Sequence, residues 1–271
     1  MLLISKDNDK KDILNMYNAI FSGEEDFAER FFDIVWKKEY CLSLSENDKT
    51  VSAVNVLPFT LTDGEKEFSA GYIYAAMTLP EYRKKGLMEQ LLEKSFTSGQ
   101  DFSILIVQND SLFNYYSRFG YLPICTVGEK SVEVKETTDF TVRLANASDY
   151  DDVLSIYRKS VKSYLAVSRD KDEIERISKV YDLPFYVAER DGKITAYCIG
   201  YKEDGIFTAI EAMGDDAENL ASAVADSLEC ESAVMRTIGG NKPIGMIKPL
   251  SDKAEKYLKD NKSVYINLLY N

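Results

Sequence analysis

The chain contains no histidine. That absence removes the usual general base, the Ser–His and Cys–His nucleophile systems and the commonest metal ligand. Acid–base work must fall to carboxylates, Tyr, Lys, Cys, a chain terminus or water. Cysteine is sparse: Cys41, Cys125, Cys198 and Cys230 are scattered with no C-x-x-C spacing. They read as reduced, mostly buried residues of a cytoplasmic protein, which argues against a disulfide framework or a zinc site. No apolar run approaches membrane-spanning length, and Met1-Leu2-Leu3-Ile4 is too short for a signal peptide. Positive charge is also short, with 33 Lys and Arg against 45 Asp and Glu and a net charge of −12. This balance argues against nucleic acid as a partner and favours a cationic substrate.

What is present is long enough for one large domain or two ordinary ones, at 271 residues. An apolar run, Tyr72–Thr78, reads as a buried strand, and Glu89–Phe96 reads as a helix with Leu87, Leu91 and Leu92 on one face. Between them stand Pro80, Arg83, Lys84, Lys85 and Gly86. A strand, a proline turn, three cations, a glycine and a helix start make a phosphate cradle, because unpaired N–H groups and the helix dipole both favour an anion there. The plainer reading, a solvated helix start, explains the cations less well, since positive charge opposes the dipole at that end.

The two halves resemble each other. Asp12–Tyr17 is similar to Asp152–Tyr157, Glu46–Ala53 to Glu189–Ala196, and Ala76-Met77 to Ala212-Met213, in the same order at similar offsets. The first pair reads as the apolar face of an early helix and the second as hairpin turns. After Met213 the chain is acidic (Asp215, Asp216, Glu218) where the first copy is basic, so a diphosphate would be repelled. The boundary is placed in the polar stretch at Glu136–Asp139, giving units of residues 1–138 and 139–271.

Pro80-x-x-Arg83-x-x-Gly86-x-Met88 resembles the acetyl-coenzyme A motif of GNAT-superfamily N-acetyltransferases, departing from it at Met88, where a small residue is usual. Downstream, the strand-like Ser103–Val107, Asn109 and Tyr116-Ser-Arg-Phe-Gly-Tyr121 are similar to the family's Asn…Tyr-x-x-x-Gly-Phe/Tyr pattern. The second half looks like a degenerate GNAT domain. The pair resembles the first two domains of the enhanced intracellular survival type, without its sterol-carrier-like domain.

The resemblance implies an α/β fold with a mixed sheet, two tandem GNAT-like domains, and acetyl-CoA as co-substrate without a metal. It also implies direct attack of a primary amine on the thioester. Ala76 to Leu79, Met77 and Thr78 among them, would pair with the pantetheine arm as an added strand does, and a backbone N–H of this strand would stabilise the oxyanion. Arg83, Lys84, Lys85, Gly86, Leu87 and Met88 would hold the diphosphate, and Asn109 would contact the arm. Tyr116 would protonate the departing thiolate; in a helix from Ser111 it shares one inward face with Leu112 and Phe119 while Tyr115 points elsewhere, and the plainer reading is a packed core tyrosine. For the base, Glu24, Glu25 and Asp26 follow the polar break at Ser22-Gly23. The C-terminal carboxylate, here on Asn271 after the strand-like Val264–Tyr270, is the base in the enhanced intracellular survival type. Asp26, Phe27 and Trp36 are acceptor-side candidates, with core packing the default for the aromatics. The expected partner is a small cationic amine, aminoglycoside- or polyamine-like, with no nucleic acid and no membrane, and a homo-oligomer is compatible. A non-catalytic acyl-CoA-binding or sensor protein is the alternative. An aminoacyl or thiol-precursor transferase is a third reading.

Overall fold

The computed structural model describes residues 9–96, 99–136, 139–261 and 263–270, and the backbone of 3–5. The first half runs β1 (Leu3–Ser5), α1 (Lys10–Ile20), α2 (Glu25–Ile34), β2 (Cys41–Glu46), β3 (Lys49–Thr62), β4 (Glu67–Thr78), α3 (Leu87–Ser95), β5 (Phe102–Ile106), α4 (Ser111–Ser117) and β6 (Leu122–Val132). The second runs β7 (Thr141–Leu144), α5 (Tyr150–Val161), β8 (Leu165–Val167), α6 (Lys171–Tyr181), β9 (Phe185–Arg190), β10 (Lys193–Glu203), β11 (Ile206–Gly214), α7 (Ala217–Ser227), β12 (Ser232–Ile238), β13 (Lys242–Pro249), α8 (Asp252–Asp260) and β14 (Val264–Tyr265). Apart from the short β8, α4 and the final α8–β14, the two orders match.

Local sequence accounts for most of these elements. Asp9 caps α1 by accepting from the N–H groups of Lys11 and Asp12, and Ile13, Met16 and Tyr17 bury one face at helical spacing. In the second half Asn146 and Asp149 form a capping box ahead of α5, and Arg143 grips Asp149 through two bonds of 2.7 and 2.9 Å. The hairpins β2–β3 and β9–β10 each turn on two positive-φ residues, Asn47-Asp48 and Asp191-Gly192. That is the turn whose twist suits antiparallel strands.

One mixed sheet holds the main strands in the order β1-β2-β3-β4-β5-β13-β6-β12-β11-β10-β9-β7. The halves are therefore interleaved: β13 lies between β5 and β6, and β6 lies between β13 and β12. Each half contains one parallel pair made by a helical crossover, β4–β5 through α3 and β11–β12 through α7. Helices cover both faces. In the first half α1 and α2 pack with Phe68, Tyr72 and Phe102, while α3 packs on the other face with Ile73, Leu105 and Met246. Among the described residues no helix is long and apolar enough to cross a membrane, and the four cysteines are buried with no disulfide among them.

The segment after Ser263 differs from the strand that its sequence predicts. Only Val264 and Tyr265 pair as a strand, with β6 and β8. Leu268 and Tyr270 take φ of 51° and 67°, a left-handed conformation that breaks extended pairing, and yet Val264–Tyr270 is wholly buried. This segment enters both halves. Ile266, Leu269 and Tyr270 join the core of the first, whereas Tyr265 and Leu268 join that of the second.

Candidate active site

The parallel pairing of β4 with β5 stops at Tyr72–Ile104, and beyond it the two strands part. At the same place β4 bulges. Ala53 pairs with Met77 and Asn55 with Tyr74, so β4 carries one residue more than β3, and Ala75 takes φ 47°. A bulge of this kind leaves a residue outside the ladder and re-aims the backbone. Ala75 and Ala76 form part of the wall of a cavity of about 830 Å³.

At one end of this cavity lies the loop between β4 and α3. Pro80–Tyr82 form a single 3₁₀ turn, Arg83 is extended, and Lys84 and Gly86 take φ of 61° and 74°. Gly86 is the N-cap of α3 and supplies no side-chain cap to the first N–H groups of the helix. A β-carbon on Gly86 would meet only Glu89, at 3.9 Å, so it is the backbone conformation that asks for glycine. Arg83 Nε donates to the Thr78 carbonyl at 3.1 Å, tying the loop to the end of β4. Arg83, Lys84, Gly86, Leu87 and Met88 line the cavity. Loop and helix start together fit a diphosphate.

Asn109 and α4 form the facing wall with Leu112, Tyr115, Tyr116 and Arg118. Tyr116 is buried, and burial pushes its phenol well above the ordinary tyrosine range. It stays protonated at neutral pH, as a proton donor must. The sequence-based expectation turned Tyr115 away from this face, but its ring also borders the cavity, 5.1 Å from that of Tyr116.

The other end is built by α1, α2 and the segment after β14. Tyr74 Oη donates to Tyr17 Oη at 3.2 Å, and Tyr17 Oη donates to Glu24 Oε2 at 2.8 Å. This file of hydroxyls ends on an exposed carboxylate. Burial raises both phenols, so each remains a donor. Tyr270 closes this end, its hydroxyl on Glu173 Oε1 at 2.8 Å and its ring 5.7 Å from Phe31. Glu24 also borders a second cavity, of about 530 Å³, shared with residues of the second half.

The remaining expected site residues are distributed as follows. Met77 is fully buried in the core and Leu79 packs beside it; neither borders the first cavity, whereas Thr78 does. Lys85 lies outside the lining and stacks over the Tyr82 ring at 4.6 Å. Asp26 and Phe27 border the second cavity. Trp36 borders neither cavity: its Nε1 donates to Asn55 Oδ1 at 2.9 Å and its ring packs on Phe32. Asn271 lies outside the described residues. Of the wall residues that sequence reasoning missed, Arg118 sits inside the Tyr116–Tyr121 motif, but nothing local marks Tyr17, Tyr74 or Tyr270.

The counterpart loop of the second half is different. After Gly214 the carboxylates are engaged by cations, Asp215 with Lys159 at 3.3 Å and Asp216 with Arg190 at 3.2 Å. Strand β11 also carries an extra residue, since Ile199 pairs with Glu211 and Gly200 with Ala209. Its parallel pairing with β12 covers only Ile206–Ala209. Asn267 lies beyond that point, its Nδ2 donating to the Ile210 carbonyl at 2.7 Å and its Oδ1 accepting from Arg236 at 3.3 Å. Beneath it Arg169 and Glu211, both fully buried, pair at 2.6 Å.

Residues 4–124, which hold the bulged strand, the loop and the Tyr116 wall, match the family model described as an acetyltransferase (GNAT) domain. That segment, somewhat under half of the chain, is thus similar to GNAT acetyltransferase domains. Among curated protein sequences none matches significantly. Solved structures match over almost the whole chain at low identity. A probable N-acyltransferase from Enterococcus faecalis V583 is 13% identical with a TM-score of 0.71, over 94% of this chain and 73% of that one. Eis1 from Mycobacterium abscessus is 12% identical with a TM-score of 0.64, over 94% and 74%. Saccharomyces cerevisiae N-myristoyltransferase with bound myristoyl-CoA is 14% identical with a TM-score of 0.60, over 91% and 81%. At these identities the likeness is one of fold, and the GNAT assignment of residues 4–124 rests on the family match.

Proposed function

We propose that the protein is an acetyl-CoA-dependent N-acetyltransferase acting on a small primary amine that is cationic in solution. One observation carries this reading: a single cavity is lined by the α3 N-terminus, the bulged edge of β4, Tyr116 and Glu24. Diphosphate, pantetheine, thioester and amine thereby have consecutive places along it. The chain is read as two GNAT-like units, residues 1–138 and 139–271, interleaved through β6 and β13. The matched element order supports this, as does the fall of all three sequence similarities on corresponding elements. Four buried cysteines without a disulfide among them suit the reducing cytoplasm.

In this reading the amine nitrogen attacks the acetyl carbonyl carbon. The oxyanion that forms is met by backbone N–H at the bulge around Ala75 and Ala76. As the C–S bond breaks, Tyr116 gives its proton to the thiolate of coenzyme A. The proton lost by the amine passes to Glu24, directly or along the Tyr17 hydroxyl, and solvent restores both groups. Proximity of the two substrates in one cavity supplies much of the rate, so no covalent enzyme intermediate is required.

The test is release of free thiol from acetyl-CoA in the presence of a panel of primary amines. Turnover with amine-dependent kinetics supports the transferase. Tight binding of acetyl-CoA without thiol release on any amine makes the protein an acyl-CoA sensor instead.

A further inference from the structure

The second cavity, of about 530 Å³, lies between α2 of the first half and β11, β12 and the segment after β14 of the second. It meets the first cavity at Glu24, which borders both. Its floor is apolar, with Phe27, Leu183, Ile210 and Leu268, and its two charged edges differ in sign. On the α2 side stand Glu24, Glu25 and Asp26, exposed at the start of the helix. On the β12 side stands Arg236.

Arg236 is unusual for this chain. Acids outnumber bases by 45 to 33, and Arg30, Arg143, Arg169, Arg176 and Arg190 each pair with a carboxylate. Among the described residues Arg83, Arg118 and Arg158 do not; the first two border the cavity where a diphosphate is expected, and the exposed Arg158 donates to the Arg169 carbonyl at 3.3 Å. Arg236 is half-buried, and its one partner among the described residues is a neutral amide oxygen, Asn267 Oδ1, at 3.3 Å. That amide is itself fixed by the 2.7 Å bond from Nδ2 to the Ile210 carbonyl, so it orients the guanidinium without neutralising it. A partly desolvated guanidinium presents several donors in a plane matched to an oxyanion, and leaving them unmet is costly. The other cation bordering the cavity, Arg30, is already committed to the Val180 carbonyl and to Asp182.

We infer that the second cavity is the acceptor subsite, and that the acceptor carries an oxyanion distal to its amine, which Arg236 binds. This rests on the transferase reading and narrows it. The amine faces Glu24 at the junction of the cavities, an apolar body lies over Phe27 and Ile210, and a carboxylate or phosphate group reaches Arg236. A polycation of the polyamine type would place a like charge there.

The experiment compares matched probes: 6-aminohexanoate, hexylamine and 1,6-diaminohexane, with 5-aminopentylphosphonate as the phosphate-like arm. Wild type is expected to show kcat/KM at least tenfold higher for an oxyanion-bearing amine than for the diamine, and the better of the two oxyanions identifies the group. Arg236→Glu should reverse the order while leaving acetyl-CoA affinity unchanged, and Arg236→Lys should keep part of the preference. Preference of wild type for the diamine or the plain amine, or an unchanged ratio in Arg236→Glu, overturns the inference. If no amine releases thiol, the transferase reading has failed. The oxyanion site is then judged by calorimetry with 6-aminohexanoate: binding to wild type that weakens tenfold in Arg236→Glu supports it, and equal or absent binding overturns it. Thermal melts confirm that each variant is folded.

Discussion

Beyond Tyr72 strand β4 runs free of β5, and beyond Ala209 strand β11 runs free of β12. In the first half the gap opens on a cavity that reaches the α3 N-terminus. In the second, Asn267 bridges the gap, with one bond to β11 and one to Arg236 on β12. When Met77 is set against Met213, Ala75 corresponds to Glu211. The first is small and borders a void, while the second is buried in a pair with Arg169 and accepts from Tyr197 and Tyr265 at 2.9 Å. Parallel crossover and bulge therefore create an opening, and a few side chains decide whether a ligand or the chain itself fills it. The loops that follow agree, with cations beside a bare helix start in one half and ion-paired carboxylates in the other.

Three changes would break or sharpen this contrast. The largest effect is expected from Gly86→Glu, which puts a side chain at φ 74° and a negative charge at the helix start. Acetyl-CoA binding should disappear in calorimetry, and retained tight binding would show that the diphosphate lies elsewhere. Next is Glu211→Gln, which strands the buried Arg169 charge. It should cost about 3–5 kcal/mol in denaturant unfolding, whereas the double change Arg169→Met with Glu211→Leu should cost far less. Equal losses would mean that packing, not charge, governs the filled cleft. Smallest is Tyr116→Phe, expected to lower kcat about 100-fold with acetyl-CoA affinity unaltered. Its phenol is raised by burial above the ordinary value of 10.0. A general acid acts while protonated, so wild type should show no alkaline loss of kcat from this group below that pH. A fall there that is absent in the Phe variant would assign Tyr116 a different role.

Chain proximity explains what could be read in the sequence. The strand, the loop from Pro80 to Met88 and the α4 motif lie close together in the chain, and hydrophobic period and turn residues mark each of them. The three internal similarities mark corresponding elements for the same reason. Trp36 gave no such guide. Its aromatic character suggests a pocket as readily as a core, and only the fold reveals that buried Asn55 takes its N–H. The hydroxyl file ending on Glu24, the placing of Tyr270 and the isolation of Arg236 all depend on contacts between distant segments. No local pattern encodes them. Val264–Tyr270 misleads most, since its apolar content reflects burial by two cores and not strand pairing.

The interleaving of β6 and β13 also sets a timetable for synthesis. When β5 and β6 have emerged, the strand that belongs between them has not been made. Both keep open edges until Lys242–Pro249 follows. Open edges invite pairing with other chains, and distant pairings form slowly. The growing chain is thus most exposed to aggregation while its second half is being translated. Late delivery of one eight-residue strand closes the sheet for both halves at once.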